Sequence, residues 1–200
     1  MTTSPATMYC NSMEDVKRRL TIVLSVVERV VSLGHQDFDA ELVCVQLRKV
    51  LELIALASLS ANKDKYSEVY KNFESHWHAE RIIEALNKIH PEFYPKPVES
   101  ASKDEIGNKQ LTQLMEGFLS KDEFIMLYKK CSEVLHSRNP FRSDSLVIDF
   151  GYSIRDWVSR IQKLLKLHYI SPAGSDDIWL VQMQHPEDGK VHLFMAEPTN

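Results

Sequence analysis

The sequence predicts a mainly α fold, an up-and-down bundle of four to six helices with a C-terminal antiparallel β-hairpin. In several long segments, apolar residues recur at three- and four-residue steps, as on amphipathic helices. Proline-containing stretches interrupt these segments and forbid one continuous helix. Near the end of the chain, Asp188-Gly189 separates two short apolar runs, which is a strong hairpin signal.

These patterns divide the chain into three predicted segments. We expect a flexible N-terminus at 1–12, a helical bundle domain at 13–170, and the hairpin at 171–200, appended to the bundle. The chain has 200 residues, of which 44% are hydrophobic, so it can bury a sizeable core without disulfides or metals.

The first two helices have the clearest signals. The first begins after Ser12, which is a good N-cap, and ends at Gly34. The second runs from about Asp39 to Ala61, and its apolar residues cover most of the circumference. This breadth predicts a central, largely buried helix.

The remaining elements alternate with breaks. A third helix ends before Pro91, and the segment 90–97 must be extended because residues that precede proline avoid the helical region. The polar segment 99–109 predicts a loop. A capping box at Ser120 opens a fourth helix, and a last helix at 154–168 has a heptad-like apolar seam.

The charge balance excludes partners that need a strong overall field. With 24 Lys and Arg against 28 Asp and Glu, the net charge is −4, so any binding to RNA must be local. The three cysteines have no CxxC spacing, which argues against a disulfide framework and a thiolate zinc site. We expect a cytoplasmic protein without membrane contact, since no signal peptide or long apolar run is visible.

Common cofactor motifs are also absent from the sequence. There is no glycine-rich phosphate loop, dinucleotide fingerprint or HExxH zinc motif, so we expect no cofactor. A two-residue turn at Asp188-Gly189 would bring His185 and His192 together across the hairpin. Two ligands are too few for a structural metal site, and the sequence therefore predicts none.

The densest group of chemically useful residues follows the fourth helix. His136, Arg138 and Asn139 are candidate catalytic residues for metal-independent RNA cleavage, with His136 moving a proton and Arg138 stabilising phosphate charge. Phe141 and Arg142, just beyond, are candidate binding residues. The alternative is that His136 and Arg138 only bond the last carbonyls of the helix.

A second candidate group lies in the central helix. Arg48 and Glu52 are spaced i,i+4, so they can pair on one face and orient the RNA-cleaving residues or bind a ligand. The alternative is a structural ion pair, which is the more common role of such residues.

Two stretches resemble a known family. The core-helix segment from Leu47 to Glu52, and a later helix that ends in the sequence from Leu135 to Asn139, resemble the HEPN superfamily of small helical domains. The resemblance implies a domain that is often dimeric and acts as a ribonuclease or accessory module in toxin–antitoxin and phage-defence systems. The family motif places a His after the Arg, whereas His136 precedes Arg138 here, which favours a non-catalytic relative.

The sequence thus favours a binding or regulatory module of defence or toxin–antitoxin type. We expect it to self-associate or to bind a partner protein, with RNA as a further candidate partner. A metal-independent endoribonuclease is the alternative. A third hypothesis is a small-molecule pocket between helices, lined by Trp77, Tyr128 and Trp157.

Overall fold

A computed structural model describes residues 3–71, 78–103, 109–137 and 148–196. Within these residues the fold is mainly α, as predicted. Its helices are α1 (Pro5–Val27), α2 (Gln36–Ala61), α3 (Lys63–Val69), α4 (Ala79–Ile89), α5 (Lys121–Val134) and α6 (Ile154–Leu165). A short 3₁₀ turn, Pro91–Phe93, follows α4.

The helices pack against a five-stranded antiparallel sheet, which is larger than the predicted hairpin. Its strands are β1 (Lys96–Lys103), β2 (Lys109–Gln113), β3 (Leu167–Ile170), β4 (Ile178–Gln182) and β5 (His192–Ala196). Their order across the sheet is β2-β1-β3-β4-β5, so β1, from the middle of the chain, pairs with β3, from its C-terminal part. The hairpin is therefore one edge of a sheet that begins at Lys96.

Helix α2 is the centre of the helical layer. It packs along α1 and also contacts α4 and α5. Eleven of its residues are buried, among them Leu47, Leu51 and Ile54, which are fully inaccessible to solvent. The prediction of a central, buried helix is confirmed. Cys44 of α2 and Cys131 of α5 are both buried.

The N-terminal segment differs from the prediction of a flexible stretch at 1–12. Helix α1 begins at Pro5, and the side chain of Ser4 caps it by accepting a hydrogen bond from the Thr7 amide at 3.2 Å. Ser-Pro is a good helix start because proline fits the first helical position. Tyr9 is fully buried, which holds this segment on the core. Ser12, predicted as the cap, instead donates to the Met8 carbonyl within the helix.

Two further segments belong to the sheet rather than to a helix or loop. The predicted last helix stops at Leu165, and the buried His168 lies in β3, opposite Val181. The polar segment predicted as a loop contributes to β1 and β2, which pair with each other from Val98 opposite Gln113 to Lys103 opposite Lys109. The prediction of a loop rested on the polarity of the segment. The paired strands β1 and β2 project into solvent, where polar side chains suit a strand.

The C-terminal turn is wider than the predicted two-residue turn. Gln182 pairs with His192 in the ladder, so residues 183–191 connect β4 and β5. The turn is closed by its own backbone, since the Gly189 amide donates to the His185 carbonyl at 2.8 Å. Among the described residues, no helix is long and apolar enough to cross a membrane.

Candidate functional site

The structure brings together the predicted pair Arg48 and Glu52 in a network that links α2 to α5. Arg48 Nε donates to Glu52 Oε1 at 3.2 Å. The other guanidinium nitrogens donate to the Tyr128 hydroxyl at 3.0 Å and to Ser132 Oγ at 3.1 Å. Tyr128 in turn donates to Glu52 Oε1 at 3.2 Å. The helical spacing i,i+4 places both members of each pair on one face.

The network is closed and partly shielded from solvent. The guanidinium carbon of Arg48 lies 4.8 Å from the centre of the Tyr128 ring, a cation–π distance. The ring of His78 meets that of Tyr128 edge-on, with centroids 5.4 Å apart. Burial and the Glu52 carboxylate raise the pKa of Tyr128, so its hydroxyl stays protonated and donates. Two guanidinium nitrogens thus join α2 to α5, and the third pairs with Glu52 within α2.

The predicted catalytic residues are only partly described. His136 is exposed, directly beyond α5, and its backbone amide bonds the Glu133 carbonyl at 3.4 Å. Arg138, Asn139, Phe141 and Arg142 lie outside the described residues, so their convergence with Arg48 and Glu52 stays a prediction.

The residues of the predicted small-molecule pocket do not line the groove that the structure shows. Trp77 lies outside the described residues. Trp157 is fully buried and donates its ring N–H to the Phe150 carbonyl at 3.1 Å. Neither Trp157 nor Tyr128 lines the groove described next.

The groove runs between helices α1 and α6 and the sheet. Its volume is about 1350 Å³, and strands β1 and β4, the β4–β5 turn and Phe194 of β5 complete its walls. Apolar side chains such as Leu24, Leu167 and Leu180 contribute part of this surface. Phe194 also lines the groove and has 39% of its surface exposed.

The charge of the groove is opposite in sign to that of the chain. Lys17, Lys163 and Lys166 line it, and Glu99 is its one acidic residue among the described positions. The difference gives a formal local charge of +2, before His185 is considered. Lys163, in the last turn of α6, and Lys166, the C-cap residue of that helix, are both exposed.

Three potential metal ligands cluster in the turn at one end of this groove. His185, Asp188 and His192 each offer a ligand atom, and these atoms lie within 4.8 Å of one another. The two imidazole rings stack with centroids 4.1 Å apart, and His185 also lines the groove. Phe194 lies 6.2 Å from the His192 ring, centroid to centroid.

Sequence reasoning missed both the groove lysines and the third member of the histidine cluster. Lys163 and Lys166 follow the polar side of an amphipathic helix, where lysines usually serve solubility, so nothing local sets them apart. Asp188 was assigned to a tight turn. The wider turn places its carboxylate beside His192 instead.

Comparisons with known proteins leave the family open. No family model matches the chain, and neither the curated proteins nor the solved structures yield a similar protein. The resemblance to HEPN domains therefore stays a prediction.

Proposed function

We propose that this protein is a binding module that holds single-stranded RNA in the groove between α1, α6 and the sheet. The observation that carries the proposal is that three lysines and an exposed aromatic ring line the same groove. The lysines are Lys17, Lys163 and Lys166, here called the lysine wall, and the ring is that of Phe194. A chain with a net charge of −4 concentrates a local charge of +2 there. The binding is thus local, as the overall composition requires.

The lysine wall suits the phosphates of the backbone. Lys163 and Lys166 extend from the C-terminal turn of α6, and Lys17 faces them from α1. Lys17 is held in place, because its ammonium donates to the Gly189 carbonyl at 2.6 Å and pairs with Glu14 at 3.2 Å. Phosphate contacts of this kind supply the sequence-independent part of nucleic-acid affinity.

The aromatic ring suits an unpaired base. Phe194 pairs with Leu180 across β4 and β5, so the two side chains stand on the same face of the sheet. Bases that are free of a duplex stack on such rings, which contributes about 1–3 kcal/mol per base. A duplex keeps its bases stacked inside, and the combination therefore favours a single strand over a double helix.

The size of the groove also favours a polymer over a small molecule. Pockets for drug-sized ligands measure about 300–1,000 Å³. The groove exceeds that range at about 1350 Å³, and its walls come from two helices and four strands. Several nucleotides of an extended strand fill such a space better than one compact metabolite.

The test is the fluorescence anisotropy of a labelled single-stranded RNA, titrated with the full chain at several salt concentrations. The double variant Lys163→Gln/Lys166→Gln should weaken binding and lower the slope of log K against log salt by about 1.4, the loss of two phosphate contacts. The control Lys49→Gln/Lys88→Gln removes the same charge from exposed positions outside the groove and should leave the slope unchanged.

A separate variant tests the stacking contact. Phe194→Ala should weaken binding of single-stranded RNA by roughly 5- to 150-fold, the equivalent of about 1–3 kcal/mol. Equal affinity for duplex and single-stranded RNA, equal losses in both lysine double variants, or no binding at low salt would each overturn the proposal.

A metal-independent endoribonuclease is the second candidate. The observation in its favour is the exposure of His136 directly after α5, where it can reach a substrate. Its test is an assay for cleavage of mixed RNA in the presence of a metal chelator. The assay compares His136→Ala and Arg138→Ala with the wild type. Cleavage that both substitutions abolish would support this function. Binding of RNA without cleavage would favour the binding module.

Self-association remains part of the proposal for the binding module. Strand β5 is at the edge of the sheet, and Met195 on it has 59% of its surface exposed. An edge with unpaired backbone groups and an apolar side chain can pair with a second copy. A defence or toxin–antitoxin role would then depend on the RNA that the assembled module binds.

A further inference from the structure

We propose that His185, Asp188 and His192 form a binding site for a divalent transition-metal ion, of which Zn²⁺ is the model. The site lies in the β4–β5 turn and at the first residue of β5, and the inference does not depend on RNA binding. The sequence alone predicted no metal here because it supplied two ligands. The structure adds the carboxylate of Asp188 as a third.

The distances between ligand atoms approach those around a bound ion. Nε2 of His192 lies 3.2 Å from each oxygen of Asp188. Two ligands at about 2.0–2.1 Å from a tetrahedral zinc ion are about 3.3 Å from each other. The third ligand atom, on His185, completes a group that spans no more than 4.8 Å. An ion can therefore be held without a change in the backbone.

The imidazole rings have to rotate when an ion binds. They now stack with 13° between their planes, whereas two nitrogen lone pairs converge on one ion only if the planes tilt. His192 has 34% of its side chain exposed and His185 has 19%, so both rings border solvent. The rotation exchanges a ring contact and a weak hydrogen bond from the Glu187 amide, at 3.4 Å, for coordination.

The turn that carries the ligands is fixed to helix α1. Glu14 accepts a hydrogen bond from the Val191 amide at 2.6 Å, and Lys17 donates to the Gly189 carbonyl at 2.6 Å. The Lys190 amide donates to Asp188 at 2.9 Å. This hydrogen bond helps to hold the carboxylate beside His192.

The ligand set indicates which ions the site takes. Two imidazoles and one carboxylate suit Zn²⁺, Co²⁺, Ni²⁺ or Cu²⁺, whereas Mg²⁺ and Ca²⁺ prefer sites made of oxygen ligands. Three protein ligands leave a fourth coordination position on the ion, which water or an atom of a bound molecule can take. Because His185 also lines the groove, the ion would lie at the end of the lysine wall.

The experiment is a titration of the full chain with Co²⁺, followed by its visible absorption, and with Zn²⁺, followed by calorimetry. Wild type should bind one equivalent, and the Co²⁺ bands report the coordination number. His192→Gln and Asp188→Asn should each weaken binding by more than about tenfold, which even outer-shell changes can reach. Asn still accepts the Lys190 hydrogen bond, so the turn is retained.

A matched control is present in the same chain. His35 Nδ1 lies 3.9 Å from Asp37, an exposed His–Asp pair that is not part of the three-residue group. His35→Gln should leave stoichiometry and affinity unchanged. Stoichiometric binding that survives both site variants, equal losses with His35→Gln, or no binding of Zn²⁺ at 100 times the protein concentration would overturn the site. Circular dichroism of each variant confirms that the chain is folded.

Discussion

The hydroxyl of Tyr9 lies 2.7 Å from Nε2 of His168, in the buried core, where helix α1 meets strand β3. The other ring nitrogen, Nδ1, is 2.8 Å from the Leu165 carbonyl, which can only accept. Nδ1 therefore carries the proton, and Nε2 accepts from Tyr9. This chain of bonds satisfies a buried imidazole in its neutral form.

Removing the Tyr9 hydroxyl should destabilise the protein. Tyr9→Phe leaves Nε2 of His168 buried without its donor, and such a loss costs about 1–3 kcal/mol in the free energy of unfolding. Urea unfolding measures the difference. The control is Tyr152→Phe, at a tyrosine with 43% of its surface exposed, where a change of less than about 0.5 kcal/mol is expected. Equal effects at both positions would contradict the role of the buried bond.

The free energy of unfolding should fall on acidification, because the folded chain holds His168 in its neutral form. Burial lowers the pKa of His168 to about 4, below the usual value of 6.5. At a pH between these two pKa values, His168 is protonated in the unfolded chain and neutral in the folded chain. The stabilisation is complete above about pH 6.5 and is lost as the pH falls to about 4, with a size on the order of 3 kcal/mol.

The matching measurement is the free energy of unfolding between pH 4 and 7 for wild type and His168→Gln. The variant has no imidazole at this position, so its stability should depend less steeply on pH in this window. Parallel curves for the two proteins would mean that other groups cause the acid sensitivity.

The Arg48 network should stabilise the α2–α5 contact rather than bind RNA. A double-mutant cycle with Arg48→Met and Tyr128→Phe should give a coupling free energy on the order of 1 kcal/mol, reduced by the partial exposure of the pair. RNA affinity, measured by anisotropy, should not change in Arg48→Met if the protein remains folded. A loss of affinity without a loss of stability would instead place Arg48 in the binding site, as the sequence suggested.

Met195 should control self-association if the β5 edge is the interface. Met195→Lys places a charge on the edge strand and should shift the chain toward monomer in light scattering after size exclusion. Met115→Lys is the control, because Met115 is 81% exposed but does not lie on β5. A wild-type chain that is monomeric at high concentration, or an equal response of both variants, would exclude this interface.

The helices could be predicted from sequence because their signals are local. The buried stripe of α2 and the capping box at Ser120 both depend on residues within a few turns of each other. In the capping box the Ser120 side chain accepts from the Glu123 amide, and the Glu123 carboxylate accepts from the Ser120 amide. The start of α1 also has a local signal, because Ser4 is a good N-cap and Pro5 suits the first helical position. The prediction missed it because the N-terminal residues around it are mostly polar.

The sheet and the groove could not be predicted, because they depend on pairing between distant segments. Strand β1 joins β3 through Lys96 opposite Tyr169, and nothing in either short strand specifies its partner. His168 continued the apolar spacing of the last helix and was therefore assigned to it. Its true place becomes clear only when Tyr9, at the other end of the chain, supplies the hydrogen bond.

The bond between Tyr9 and His168 also has a consequence for synthesis on the ribosome. The two residues are 159 positions apart. At about 5–20 residues per second, α1 emerges roughly 8 to 30 s before the strand that completes its environment. During this interval the buried side of α1 can be covered by α2 alone. We expect the nascent chain to expose the sheet-facing part of α1 until the last strands arrive, and to need a chaperone most at that stage.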